Sequence, residues 1–263
     1  MRVRVPIFMF HHVMAQDASA PRSALVVGKS KLRETVLWFL KHDYESITVK
    51  TLAECLRAGD TASLNRRFVL TFDDGAKNNF EQAYPVLKEL GCTATFYVPT
   101  DYVGKTSRWR KANRIFDIMS DEKILQLSSE GFEIGSHGCQ HTDLTALSDE
   151  ELDAQMLESK ARLSSIVGPE VATFAYPYGL FDVRVMKSAR KAGYDAACST
   201  IRGAMQDSEH AFALKRIMIT EGTSSLRLRH FVDGLLDFKH RKEFNTASSR
   251  SDNSEPVRLL GVR

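Results

Sequence analysis

The sequence contains no long hydrophobic run, no dense block of basic residues and no closely spaced pair of cysteines. No apolar stretch approaches the roughly 18 residues that a membrane span requires, so we expect no transmembrane segment. The 36 basic and 33 acidic residues are spread along the chain and leave a net charge of +3. Without a basic block to contact phosphates, nucleic acid is not an expected partner.

The four cysteines are widely spaced, and none of them belongs to a CxxC pair. They lie in segments whose pattern otherwise predicts buried helices or strands, which favours free buried thiols over disulfides. These residues are Cys55, Cys92, Cys139 and Cys198.

The N-terminal segment MRVRVPIFMFHHV places two arginines before a short apolar run, as a secretion signal does. However, Pro6 interrupts this run, His11 and His12 end it, and no small-residue cleavage site follows a proper apolar region. We therefore expect a cytoplasmic protein, unless the natural start lies upstream or export uses another route.

The length of the chain and the absence of an obvious linker favour a single large domain. The chain has 263 residues, and α/β barrels of about 200 to 250 residues form around one core. No internal repeat and no glycine- or proline-rich linker divides the chain, so we expect one domain over residues 1–239. Residues 240–263 are polar and charged with little periodicity, which predicts a disordered tail.

Apolar runs of strand length alternate with segments of helical period, which is typical of an α/β fold with a mostly parallel sheet. Ser148 and Glu151 form a capping-box signature before a long helix that ends near Gly168. Pro85 interrupts the helical pattern after Asn78, so that helix is expected to kink or to start late. The expected strands cover residues 5–10, 67–72, 93–98, 132–135, 172–176 and 194–198, and further expected helices cover residues 30–42, a segment from 120, 182–193 and 224–238.

The motif TFDDG at residues 71–75 places Asp73 and Asp74 directly after a strongly apolar strand. Adjacent carboxylates at a strand end can diverge, so that one binds a metal while the other faces the reacting atoms. Functional sites in barrels and open α/β folds collect at such strand ends. A solvated turn is the alternative, because Asp-Asp-Gly is also good turn chemistry.

The motif SHGCQH at residues 136–141 also follows a predicted strand and contains His137 and His141. If this stretch turns helically, both imidazoles lie on one face and can bind one divalent ion. A histidine pair alone is more often a surface feature, but an acid-bearing strand end can supply a third ligand. One carboxylate and two imidazoles leave positions open for water and substrate, which is typical of a catalytic metal.

The motif FAYPYG at residues 174–179 follows another predicted strand. Pro177 and Gly179 enforce a tight turn that exposes backbone N–H groups, and such a turn can supply an oxyanion donor. The tyrosines can form a wall for a sugar ring. An ordinary aromatic turn is the alternative.

The motif MFHHV at residues 9–13 ends the first predicted strand with two histidines. A histidine there suits a general acid, because its pKa near neutrality allows it to protonate a departing amine. Only one of the pair points inward if the chain is still extended. Our choice is His11 rather than His12, although alternation alone does not decide between them.

In their order along the chain, PIFMFHHV, TFDDG, the HxxxH segment and FAYPYG resemble the polysaccharide deacetylase family, the NodB-homology carbohydrate esterases. The resemblance covers about residues 3–222 and looks closest to the branch that deacetylates exopolysaccharides such as poly-N-acetylglucosamine. It implies an α/β fold, a distorted (β/α) barrel of about seven strands. It also implies a carbohydrate substrate.

The same resemblance implies roles for the motif residues. Asp73 would be the catalytic base and His11 the general acid. In the reaction that we expect, the backbone N–H of Tyr178 in the FAYPYG turn would help the metal to stabilise the oxyanion. The metal ligands would be Asp74, His137 and His141. Zinc is the expected metal, although such a ligand set also accepts Co²⁺, Ni²⁺ or Mn²⁺.

The expected reaction is metal-dependent hydrolysis of N-acetyl groups on amino sugars of a polysaccharide or its precursor, with release of acetate. An O-acetyl esterase or another amidohydrolase would use the same metal centre. A non-catalytic carbohydrate-binding protein is a further alternative, but the combination of base, acid and ligands argues against it.

Three positions depart from the family pattern. Gly138 stands where relatives have Ser or Thr, so one hydrogen bond near the metal is expected to be missing or supplied by water. Ala175 stands where many relatives carry an arginine that orients the base. The late Leu-x-His motif is absent, with ALKRI at residues 213–217 near its place, which is consistent with His11 as the acid.

Two further features have open interpretations. Trp109, in the polar stretch KTSRWRKANR, could form a sugar-stacking platform with Tyr102, or it could simply pack onto the barrel. Asp182 could hydrogen-bond near the site, but helix capping explains it at least as well.

Overall fold

The structure is a computed structural model, and it describes residues 1–15, 23–109 and 115–234. The predicted tail over residues 240–263 and the end of the last predicted helix lie outside the described residues. Within the described part, no helix is long and apolar enough to cross a membrane.

The described strands and helices alternate along most of the chain, as the α/β pattern predicts. The strands are β1 (Arg2–Arg4), β2 (Ile7–Phe10), β3 (His12–Met14), β4 (Val26–Gly28), β5 (Glu45–Ile47), β6 (Arg67–Phe72), β7 (Thr95–Val98), β8 (Glu133–Ser136), β9 (Thr173–Ala175), β10 (Ala196–Arg202), β11 (Met205–Asp207) and β12 (Leu214–Met218). The α-helices are α1 (Lys29–Leu40), α2 (Val49–Ala58), α3 (Tyr84–Glu89), α4 (Asp121–Ser129), α5 (Asp149–Val167), α6 (Val183–Lys191) and α7 (Ser225–Asp233).

Seven parallel strands of the described chain form a closed barrel in the order β2, β12, β10, β9, β8, β7 and β6. The pairing of β2 with β6 closes the ring, with Ile7 opposite Val69 and Phe10 opposite Phe72. Strand β5 adds to the outer edge of β6. The α/β barrel of about seven strands is therefore confirmed.

The core has two parts because side chains alternate along each strand. In β6, Phe68, Leu70 and Phe72 pack with the surrounding helices. Val69 belongs to a second cluster with Tyr97 and residues of α2. Strands covered on both faces are uniformly buried, which explains why their sequences are nearly continuous apolar runs.

Most predicted elements are confirmed, with bounds that shift by a few residues. The capping box of Ser148 and Glu151 is formed at the start of α5, and Asp182 caps α6 by accepting from Val185. The structure has α3 begin at Tyr84, after a π-helical turn, so that Pro85 sits in its first turn where its missing N–H costs nothing.

The barrel strand β12 is absent from the strands that the sequence predicts. Lys215 and Arg216 interrupt its apolar pattern, and a charged residue facing the barrel interior is not expected from periodicity. The prediction of free thiols is confirmed for all four cysteines, but Cys55 is partly exposed rather than buried.

Gly135 in β8 lies against the ring of Tyr97, and a Cβ at this position would overlap that ring. We expect Gly135→Ala to lower the free energy of unfolding by about 1–3 kcal/mol, because overpacking displaces a buried side chain. Urea unfolding followed by circular dichroism measures this change. Gly222→Ala is the matched control, since a Cβ there meets no atom within 4 Å. Equal midpoints for the two variants would contradict the prediction.

Candidate active site

The residues of the four sequence motifs meet at one end of the barrel. Asp73 and Asp74 follow β6, His137 follows β8, and Tyr178 follows β9. Because these strands are parallel, their carboxyl ends lie on the same rim. Motifs as far apart in sequence as residues 9–13 and 174–179 therefore border one site.

Asp74, His137 and His141 form a buried cluster in which one donor atom of each residue lies within 4.8 Å of the others. Nε2 of His141 is 3.1 Å from Oδ1 of Asp74, and Nε2 of His137 is 3.8 Å from the same oxygen. Ligands of one tetrahedral ion with bonds near 2.1 Å stand about 3.4 Å apart. The spacing of these donor atoms therefore fits a shared divalent metal.

Hydrogen bonding sets the tautomer of His137 in a way that suits metal binding. Its Nδ1 lies 2.7 Å from the carbonyl oxygen of Ala175 and donates to it, which leaves the lone pair of Nε2 facing Asp74. Burial, followed by the neighbouring His141, lowers the pKa of His137 to about 4. The imidazole is therefore neutral near pH 7, as a ligand must be.

Asp74 is ionised in this setting. Burial alone would raise the pKa of its carboxyl group, but the hydrogen bond with His141 and the charges of the surrounding histidines hold it well below its ordinary value. A buried, ionised carboxylate beside the imidazole nitrogens of His137 and His141 creates a negative centre that attracts a cation.

Arg216 is a site residue that the sequence analysis did not identify. Its Nη1 and Nη2 donate to Oδ1 and Oδ2 of Asp73 at 2.7 and 2.8 Å. Its remaining donors bind the carbonyl oxygen of Ser199 and Oγ1 of Thr71. In many relatives, an arginine at the position of Ala175 orients this aspartate. Here Arg216, from a different strand, makes the contact with Asp73. The only sequence signal was a basic residue inside an otherwise apolar strand.

The ion pair with Arg216 controls the charge of Asp73. Burial disfavours the ionised form, but the Arg216 guanidinium outweighs this effect, with His137 adding to it, and the pKa of Asp73 lies below its ordinary value. Both side chains are almost inaccessible, with 0% and 3% of their surface exposed. Asp73 is therefore a fixed carboxylate beside the cluster.

Both histidines of the MFHHV motif reach the site. The condition under which only one of them would point inward, a chain that is still extended, does not hold, because the chain bends at His11 between β2 and β3. The charge of His11 lowers the pKa of Asp73 and of Asp74. His12 is buried, its ring stacks on Phe116, and its Nε2 is 3.6 Å from Oδ2 of Asp74.

The side chain of Asn79 fixes this bend. Its Oδ1 accepts from the N–H of Val13, and its Nδ2 donates to the carbonyl oxygen of His11. Asn79 begins the π-helical turn before α3, and π-helical turns are frequent at functional sites. The widened turn therefore positions the two histidines.

Three site residues have left-handed backbone conformations, which non-glycine residues rarely adopt. Their φ angles are 70° at Asp74, 49° at His141 and 58° at Tyr178. The Tyr178 side chain is 52% exposed, and its ring meets His141 edge-on at 4.6 Å. Residues with such strained backbone conformations cluster at active sites, which supports a functional role for this rim of the barrel.

The glycine that departs from the family pattern has a structural reason. Gly138 has a φ of +74°, and a Cβ there would lie 3.3 Å from Oε1 of Gln155. The same Oε1 accepts from the N–H groups of Cys139 and Gln140. Gln155 of α5 therefore shapes the turn between His137 and His141.

Trp109 lies over one of the proposed metal ligands rather than standing free as a platform. Its ring stacks on His141 with centroids 4.7 Å apart, and Tyr102 packs against it at a steep angle. Of the two open interpretations of Asp182, capping of α6 is the one with a hydrogen bond in the structure.

The sequence profile of the family described as polysaccharide deacetylase matches residues 62–197, which is just over half of the chain. The chain belongs to the polysaccharide deacetylase family. The matched segment contains Asp73, Asp74, His137 and His141, whereas Arg216 lies outside it. The predicted family is confirmed.

Relatives and solved structures agree with this membership. A poly-β-1,6-N-acetyl-D-glucosamine N-deacetylase of Staphylococcus aureus is 23% identical over 229 residues, which cover 84% of this chain and 77% of that protein. The fold is similar to that of the Streptococcus pyogenes deacetylase PplD in complex with acetate, with a TM-score of 0.77, 20% identity and coverage of 88% and 99%. It is also similar to IcaB from Ammonifex degensii, with a TM-score of 0.74, 19% identity and coverage of 88% and 97%.

Proposed function

We propose that this deacetylase removes N-acetyl groups from an amino-sugar polysaccharide such as poly-N-acetylglucosamine, with a divalent metal held by Asp74, His137 and His141. Zinc is the first candidate for that metal, because two imidazoles and one carboxylate suit it. The observation that carries the proposal is this buried cluster beside the carboxylate of Asp73.

The reaction begins with removal of a proton from the attacking water. When bound, the metal would supply Lewis acidity to the acetamide carbonyl and to that water. Asp73 accepts the proton, because it is ionised, rigid and adjacent to the cluster. Arg216 occupies one lone pair on each oxygen of Asp73 and leaves others for the water.

Arg216 has opposing effects on this base. It keeps Asp73 ionised and correctly oriented, which favours proton acceptance near neutral pH. It also lowers the basicity of the carboxylate, so the base works only with a water whose acidity is raised. A weak base such as Asp73 therefore suits a site in which a bound metal would raise the acidity of the attacking water.

Two other groups complete the proposed mechanism. His11 donates a proton to the departing nitrogen, as its place beside both aspartates allows. The backbone N–H of Tyr178, in a turn with left-handed φ, donates to the oxyanion. The products are acetate and a free amine, and no covalent intermediate is required.

The substrate assignment rests on similarity to the staphylococcal N-deacetylase and on the family membership. An O-acetyl esterase would use the same residues. Its leaving alcohol would depend less on protonation by a general acid than a leaving amine does. Comparison of N-acetylated and O-acetylated oligosaccharides therefore separates the two activities.

The test is acetate release from β-1,6-linked N-acetylglucosamine oligomers by metal-free protein, with and without added Zn²⁺ or Co²⁺. We expect release only with metal. No release with any metal, from folded protein that binds zinc at one equivalent, would disprove the proposal.

His137→Ala is expected to weaken zinc binding by at least about tenfold and to abolish acetate release, because the variant loses one of three protein ligands. Isothermal titration calorimetry or competition with a chromophoric chelator measures the affinity. His42→Ala is the control, since His42 stacks on Trp38 and takes no part in the cluster. Unchanged zinc affinity in His137→Ala would exclude His137 as a ligand.

A further inference from the structure

Residues 138–140, which we call the ligand turn, connect His137 and His141 of the proposed metal site. The backbone N–H groups of the second and third residues of this turn donate to one side-chain atom, Oε1 of Gln155, at 2.9 and 3.2 Å. Gln155 lies on helix α5 and is only 8% exposed. Because a buried N–H group without an acceptor is costly, the conformation of the ligand turn depends on this side chain.

The first N–H group of the ligand turn depends on the same helix. It belongs to Gly138 and donates to Oγ of Ser136 at 3.2 Å. Ser136 donates to Oγ of Ser159 at 2.7 Å, and Ser159 donates to the carbonyl oxygen of Gln155 at 2.6 Å. Both serines are fully buried. Gln155 and Ser159 are four residues apart on α5, so one face of this helix supports all three N–H groups.

The carbonyl groups of the ligand turn are held from the opposite side. Those of Gly138 and Cys139 accept from the backbone N–H groups of Thr100 and Asp101 at 3.1 and 3.0 Å. His141 follows the turn directly and has a φ of 49°, a conformation that persists only where the surroundings enforce it. The contacts that fix the ligand turn therefore also fix the backbone from which His141 projects.

We infer that Gln155 is a positioning residue for the metal, because it holds the ligand turn in the shape that brings His137 and His141 to Asp74. This inference rests on the proposed function, since it takes those three residues as the metal ligands. Gln155 itself does not belong to the cluster of donor atoms. Ligands that are already held in place bind an ion more tightly than ligands that must be ordered, so loss of this support weakens metal binding.

Gln155→Met tests the inference, because methionine has a similar length but offers no oxygen to the ligand turn. We expect the affinity for Zn²⁺ to fall by about 10–100-fold, the usual effect of removing a group that supports metal ligands. Competition with a chromophoric chelator measures the affinity, and circular dichroism shows whether the variant is folded. At zinc concentrations that saturate the variant, acetate release is expected to recover, because the ligands and Asp73 are unchanged.

A conservative variant separates the hydrogen bonds from the packing of the side chain. In Gln155→Glu a carboxylate oxygen can accept from the same two N–H groups, so we expect it to keep most of the zinc affinity that Gln155→Met loses. Ser159→Ala is a milder second variant, because Ser136 loses its acceptor while Gln155 keeps both of its N–H groups. We expect a smaller loss of zinc affinity from it.

Gln126→Met is the matched control, because it makes the same change on a different helix. Gln126 is an exposed residue of α4, and its Nε2 donates to the Tyr84 hydroxyl and to Glu130. It makes no contact with the ligand turn in these bonds. We expect its zinc affinity to equal that of the natural protein.

The outcomes separate this inference from the proposed function. Unchanged zinc affinity in folded Gln155→Met, beside a loss in His137→Ala, would overturn the inference while the proposed function stands. Equal losses in Gln155→Met and Gln155→Glu would also overturn it, because the shared acceptor would then not matter. Zinc affinity that neither His137→Ala nor Gln155→Met alters would overturn both. The expected losses and rescue in a protein that releases no acetate would support the inference and overturn the deacetylase proposal.

Discussion

Replacement of Arg216 with methionine is expected to lower the free energy of unfolding at pH 7 by about 3–5 kcal/mol, because it leaves the buried Asp73 carboxylate without its partner. The two side chains are almost fully buried and joined by two hydrogen bonds. Urea unfolding at several pH values measures this loss.

The pH dependence of that loss has a definite sign. In the natural protein the pKa of Asp73 is held below its ordinary value, so the ion pair stabilises the fold above about pH 4 and this contribution is lost as the pH falls through the lower pKa. In Arg216→Met, burial is no longer opposed and raises the pKa of Asp73. The variant therefore loses stability as the pH rises from about 4, and its gap to the natural protein widens toward neutrality.

Two controls make this prediction specific. Arg33→Met removes an exposed arginine that pairs with Glu89, and we expect little change because solvent screens that pair. The double variant Arg216→Met with Asp73→Asn is expected to recover part of the stability, since neither buried charge remains. An unchanged free energy of unfolding in Arg216→Met at pH 7 would show that the ion pair does not stabilise the barrel.

Asp73→Asn is expected to reduce kcat for acetate release by about 10²–10⁴-fold, the contribution of a positioned general base. Asparagine preserves the shape of the side chain but has no carboxylate to accept a proton. Zinc affinity is expected to change little, because Asp73 does not belong to the metal-ligand cluster. Steady-state acetate release and calorimetric zinc titration measure the two quantities.

Asp74→Asn is the matched control for this prediction, since it alters the adjacent carboxylate. It is expected to weaken zinc binding directly, because the Asp74 carboxylate lies beside Nε2 of both His137 and His141. The neighbouring aspartates then differ in what they lose, one in kcat and the other in metal affinity. Retention of more than a tenth of kcat in Asp73→Asn would exclude this residue as the base.

The strand ends of the barrel were predictable because their signals are local. An apolar run followed by Asp-Asp-Gly, or by two histidines four residues apart, is visible without knowledge of the remaining chain. The carboxyl ends of parallel strands also meet on one rim, so separate motifs could be assigned to one site. The seven-strand barrel itself followed from the family resemblance rather than from counting strands.

Other features depended on contacts between distant segments. Arg216 is 143 residues from Asp73 in sequence. The apolar pattern did not predict strand β12, because the strand contains a buried charge that is neutralised only in the folded chain. The bend at His11 depends on Asn79, which is 68 residues away. No local pattern predicts either contact.

The sequence by itself therefore determined the family, the α/β class and the residue types at the ends of β2, β6, β8 and β9, because these depend on local order along the chain. Only the tertiary structure decided how Asp73 is held, how both histidines of the first motif reach the site, and which ring lies over His141. These depend on side chains from strands and loops that become neighbours only when the barrel closes. The physical reason is that a buried charge such as Arg216 is tolerated only where the fold supplies its partner.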